Sequence, residues 1–151
     1  MLRTIKQSDH NIKYNSAKNR ITFKAITEGV PAEMSDTKGA DTKHQSFKLV
    51  EIGKGALDDV KDNEKMCVML DNDTEGNVLG SVSRGNLIVL NNKGVLGIAI
   101  TVDERPILKE FVKLVQQNKI KSVQVYSDAL TIHNNHIEKV NNIRAISINT
   151  K

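Results

Sequence analysis

The stretch Asn86 to Asp103, NLIVLNNKGVLGIAITVD, constrains the fold more than any other. Two β-branched, apolar runs, Leu87–Leu90 and Val95–Val102, flank Asn91-Asn92-Lys93-Gly94. Asn and Gly adopt turn conformations readily, so the pattern predicts a β-hairpin with a four-residue loop. It is the densest apolar run in the chain, and it belongs in the core.

The core that receives it is aliphatic. The 151 residues include three Phe, two Tyr and no Trp, while 38% are hydrophobic and 26% charged. That balance suits one folded domain, or one domain with a small appendage. Scarce aromatics argue against a single-strand nucleic-acid platform, which stacks bases on aromatic rings. The net charge is +4, from 22 basic and 18 acidic residues, and the two signs interleave along the chain. A mixed solvated surface follows, rather than the basic stripe of a nucleic-acid binder.

Cys67 is the one cysteine, between Met66 and Val68, and it reads as a buried small hydrophobe. A single cysteine closes no internal disulfide and fits a reducing compartment. Met1 to Lys6 lacks the apolar core of a signal peptide, and no run approaches the roughly 20 apolar residues of a membrane span.

In chain order, residues 1–18 are polar, with Leu2, Ile5, Ile12 and Tyr14 as apolar anchors, and read as an N-terminal arm ordered by a partner. Arg20–Thr27 alternates as a half-buried strand. Residues 28–45 read as a long connection in which Val30 and Met34 are the large apolar side chains. Strands are predicted at Phe47–Ile52, Lys65–Leu70 and Val78–Val82. Asp103-Glu104-Arg105-Pro106 opens a helix, with Asp103 as N-cap and Pro106 in the first turn. Ile107, Leu108, Phe111, Val112, Leu114 and Val115 make its apolar face, and Asn118 stops it. Ser122–Tyr126, Ala129–His133, His136–Val140 and Ile143–Ile148 are expected to form a C-terminal β-meander, punctuated by Asn and Asp. The echo between Leu87–Asn92 and Leu130–Asn135 is assigned to shared turn chemistry rather than duplication.

Chemistry-bearing motifs are sparse. Asp71-Asn72-Asp73-Thr74-Glu75-Gly76 begins like a calcium loop, but the twelfth position, where a bidentate Glu is needed, is Val82. His133 and His136 flank Asn134-Asn135 without the third and fourth ligands of a zinc site. Gly53-Lys54-Gly55 is too short for a phosphate loop. Asp58 with Asp59, and Asp71 with Asp73, lie in polar turns that would not raise one carboxyl of a catalytic pair. No catalytic, cofactor or metal residue is assigned, and no enzyme activity is expected.

Two resemblances remain. From Asn19 to Asp103 the order of elements resembles GroES-type cochaperonins: a strand at Asn19–Lys24, a loop at Glu28–Gln45, and a strand ending in a glycine turn at Lys48–Gly55. Val60–Val68 then precedes the final hairpin. This resemblance implies a ring that docks through the 28–45 loop. Met66–Asp71 and Gly94–Asp103 resemble small β-barrel head decoration proteins and related virion proteins of tailed phages. That resemblance implies a structural role in a phage particle.

The expected fold is mostly β (α+β): an arm at 1–18, a small barrel or sandwich at 19–103, and a helix with β-meander at 104–151 packed on it. The expected function is a non-enzymatic structural protein of a phage particle, decoration or similar, whose partners are other protein subunits, as a homo-oligomer or as capsid or tail neighbours. Leu2, Ile5, Ile12, Tyr14, Val30 and Met34 are the expected contacts, since an arm can add a strand to an exposed edge. The expected location is a virion or host cytoplasm, with neither nucleic acid nor membrane as partner. Alternatives are the cochaperonin reading and a small basic nucleic-acid-binding module.

Overall fold

The computed structural model describes residues 2–8, 10–36, 46–61, 63–72 and 76–150. Among them the central hairpin forms as β8 (Leu87–Asn92) and β9 (Val95–Thr101), paired antiparallel from Leu87↔Ile100 to Asn92↔Val95. The loop is two residues, not four. Lys93 and Gly94 both hold positive φ, 51° and 79°, the geometry of a tight turn whose twist matches the strands. Asn91 and Asn92 therefore extend β8.

The other hairpin of similar sequence uses its asparagines differently. Asn134 and Asn135, φ 49° and 62°, are themselves the turn between β11 (Ala129–His133) and β12 (His136–Asn142). The same Asn-Asn pair lies in a strand in one hairpin and at the tip of the other, so the echo fixes no common register.

Beside the hairpin, β3 (Arg20–Thr27) pairs with β9, and β2 (Lys13–Asn15) with β3, giving a four-stranded sheet of order β2-β3-β9-β8. The second sheet has nine strands in the order β11-β12-β5-β4-β1-β10-β13-β6-β7. Its members are β1 (Arg3–Lys6), β4 (Pro31–Ser35), β5 (Lys48–Ile52), β6 (Cys67–Leu70), β7 (Val78–Ser81), β10 (Ser122–Ser127), β11, β12 and β13 (Ala145–Asn149). Antiparallel pairing dominates; β12–β5 and β13–β6 are parallel. The inward rows of both sheets and the buried helix face form one aliphatic cluster, from Ile5 through Ile98 and Phe111 to Ile148. The mostly β fold with one helix is as expected from the sequence.

Several expectations are corrected. Residues 1–18 are not a free arm. β1 lies inside the large sheet between β4 and β10, and Ile5 has no exposed surface. Its register, Ile5↔Val125 and Ile5↔Met34, places an apolar side chain in a buried row; the polar neighbours Arg3 and Lys6 masked it as arm. The 28–45 segment begins with β4, where Ala32 and Met34 alternate inward; residues 37–45 lie outside those described. The C-terminal strands do not form a meander. β10 pairs with β13, and the β11–β12 hairpin between them in sequence joins β5 at the other end of the sheet. A division at 18/19 and 103/104 thus cuts through one sheet and one core.

The helix α1 (Pro106–Gln116) buries Leu108, Phe111 and Val115. Each such side chain contributes about 1.5–3 kcal/mol when removed from water. Asp103 is not its N-cap: Arg105 holds that position, and no side chain caps the helix. Asn118, φ 55°, ends it as expected. Its amide donates to Val115 O and that of Lys119 to Leu114 O, the paired bonds of a Schellman stop. No helix among the described residues is long and apolar enough to cross a membrane.

Candidate functional site

Each sheet has two edge strands, and an unpaired edge can template association with another chain. Three of the four edges carry features that oppose it. β7 has its Val78 and Leu79 carbonyls occupied by the Arg105 guanidinium, at 2.8 and 3.0 Å. β11 is interrupted by two irregularities in its pairing with β12, at Ala129/Leu130 and Thr131/Ile132. β2 is three residues long, and Lys13, Lys18 and Arg20 lie on or beside it.

Among the described residues, β8 carries no such feature. It is six residues long with regular pairing to β9, and the run Gly85–Asn92 contains no charge and no proline. Leu87 and Val89 turn toward the core. Ile88 and Leu90 turn outward, 40% and 52% exposed. In the register, Thr22, Ala99 and Ile88 form one transverse row, and Lys24, Gly97 and Leu90 the next. The outer face thus grades from basic on β3 to apolar on β8. Ala99 is itself buried, 1% exposed, between Thr22 and Ile88.

Polar side chains hold this strand in place. Asn86, nearly buried at its entry, donates from Nδ2 to Leu79 O and Thr101 O and accepts the Ser81 amide at 3.1 Å. Asn91, at its exit, donates to Leu57 O and Val60 O. The loop it grips is also held by Glu28, whose carboxylate accepts the amides of Gly55 and Leu57 at 2.8 and 2.9 Å. The Glu28 amide in turn donates to Gly94 O at the β8–β9 turn. On the other side of that β3–β4 turn, the Gln7 side chain accepts from Thr27 N and donates to the Thr27 and Val30 carbonyls.

The six side chains expected to make contacts do not gather on one surface. Ile5 and Met34 are in the core, 0% and 1% exposed. Ile12 and Tyr14 pack partly buried against it, with the Tyr14 hydroxyl donating to Asn19 Oδ1 at 2.8 Å. Val30 is half-buried in the turn held by Gln7. Leu2 is exposed and borders a groove of about 540 Å³ with Tyr126, Asp128 and Arg144. Within that groove Asp128 accepts from Asn142 and pairs with Arg144, and these contacts hold its carboxyl below the usual range despite partial burial. Burial pushes the Tyr126 phenol up.

Sequence reasoning missed Ile88 and Leu90. The signal was an apolar β8 with no alternation to polar residues and no gatekeeping charge. That pattern fits full burial equally well, so the sequence alone does not separate the two.

Among the described residues no three His, Cys, Asp or Glu side chains gather to hold a metal ion. His133 and His136 face each other across their turn, but His136 Nδ1 lies 3.5 Å from Glu51 Oε2 and His133 contacts Asn134. Asp71 accepts from the amide and hydroxyl of Thr150 at 2.7 and 2.8 Å; Asp73, Thr74 and Glu75 of the calcium-like run lie outside the described residues. Asp59 is paired with Lys139, which lowers its pKa. Cys67 is half-exposed rather than buried, and desolvation raises its thiol pKa.

No family model, no curated protein and no solved structure matches the chain.

Proposed function

We propose that the protein is a non-enzymatic assembly subunit that works by joining other protein subunits through the open edge of β8. One observation carries the reading: an uncharged, regularly paired edge strand presents Ile88 and Leu90 to solvent, while the other three edges are blocked, irregular or charged. Strand addition at such an edge combines backbone hydrogen bonds with burial of the outward side chains. The small virion proteins of tailed phages, which Met66–Asp71 and Gly94–Asp103 resemble, are the specific class we put forward. The cochaperonin alternative is less favoured: of the two side chains its docking loop would offer, Met34 lies in the core and Val30 is half-buried.

The test is the mass of the tagged protein in extracts of the cell that makes it. The wild type migrates well above protomer mass, and Leu90→Lys, a change at an exposed position, returns it to protomer mass. A wild type that runs as a lone protomer refutes the reading.

A further inference from the structure

We infer that the occupant of the β8 edge is β8 of a second copy of this chain, related by a two-fold axis through Val89. The inference rests on the assembly reading above and names its partner. It follows from the parity of the strand. Asn92 and Val95 close a two-residue loop and are a hydrogen-bonded pair, and so, in alternation, are Leu90↔Gly97 and Ile88↔Ala99. The bond from Thr101 N to Asn86 O continues the same parity. The amides and carbonyls of Leu87, Val89 and Asn91 therefore point away from β9, toward the open edge.

A two-fold through Val89 satisfies all of them at once. Val89 meets Val89 of the second copy, and Leu87 meets Asn91. The same operation places Ile88 directly opposite Leu90 of the other copy, so each exposed apolar side chain covers the other copy's. A closed isologous joint of this kind uses one patch twice and stops at the dimer.

Charge selects the same occupant. Gly85–Asn92 carries none, so no like charges face each other between Asn86 and Asn92. The nearest exposed cations, Arg84 and Lys93, flank this run in the turns at its two ends, and the register sets Lys93 opposite Gly85 of the second copy. Joined by their β2 edges instead, two copies would set Lys13, Lys18 and Arg20 against themselves.

The register makes the test specific. Residues opposite each other at a non-hydrogen-bonded position have Cα atoms about 4.5 Å apart, within disulfide reach, whereas diagonal positions lie about 7–8 Å apart and beyond it. Ile88→Cys and Leu90→Cys are made separately, each with Cys67→Ser, carried on tags of different size, mixed in equal amounts and mildly oxidised. The mixed disulfide should exceed either homodisulfide by about tenfold, and the unmodified purified chain should have twice the protomer mass. Equal yields of the three disulfides, or a purified chain that stays a protomer at millimolar concentration, overturn the inference. If that protomer is still found in a large particle in extracts, and Leu90→Lys releases it, the partner is another protein: this inference fails and the assembly reading survives.

Discussion

Nη2 of Arg105 donates to the carbonyl oxygen of Leu79 at 3.0 Å, tying the start of the helix to the edge of the large sheet. Leu79 is the extra residue of a bulge, since Gly80 pairs with Val68 and Val78 with Met69. The bulge leaves carbonyls that need donors, and the guanidinium supplies two while Asp103 Oδ1 and Oδ2 accept its Nε at 3.0 Å each. Arg105→Ala should cost about 1–3 kcal/mol in urea unfolding, the range for stranding a desolvated polar group. Arg105→Lys should recover less than half of that, because an ammonium lacks the planar fork. Full rescue by Lys would contradict the assignment.

Asn86 makes an analogous bridge between β7 and β9, and it fixes where β8 begins. Asn86→Leu keeps the volume and loses every side-chain bond. A loss of about 1–3 kcal/mol is expected, together with faster amide exchange at Ser81. Unchanged exchange at that amide would show that the bridge is not needed.

β1 is part of the fold. Removing β1 leaves β4 and β10 without their shared neighbour. A chain lacking residues 1–8 should not give a dispersed amide spectrum, and Ile5→Ala alone should cost about 2–5 kcal/mol. A deletion variant with native-like dispersion would restore the arm.

Acid should weaken the protein through its paired carboxylates. Burial tends to raise the Asp103 pKa, but bonds from Arg105 and the nearby Arg84 outweigh it and hold it below 3.8; Asp128 is lowered chiefly by Asn142. A carboxyl whose folded pKa lies below its unfolded one stabilises fully above the unfolded value. That contribution is lost as pH falls through the folded value. The urea midpoint should hold from neutrality to about pH 5 and fall below about pH 4, and Asp103→Asn should flatten that fall. A midpoint that rises on acidification would contradict the pairing.

The local elements were legible and their partners were not. The periods of Arg20–Thr27 and of Ile107–Val115 carry the burial pattern of β3 and α1, because each needs only its own spacing. The place of β1 depends on Val125 and Met34, which are remote in sequence, and so does the divergence of β11–β12 from β10. The polar pins Gln7, Glu28, Asn86 and Arg105 bond to backbone groups that only the folded chain brings near. The same holds for the open edge: Leu87–Leu90 reads as core in either case, and only the sheet order shows that its outer row is uncovered.

Amide hydrogen exchange along β8 tests the central claim most directly. In the assembled protein the amides of Leu87, Val89 and Asn91 should be protected to the degree of those in β9. In the Leu90→Lys protomer the same three should exchange much faster, with β9 unchanged. Fast exchange at all three in the assembled wild type would mean that the edge stays open and that the subunits are held elsewhere.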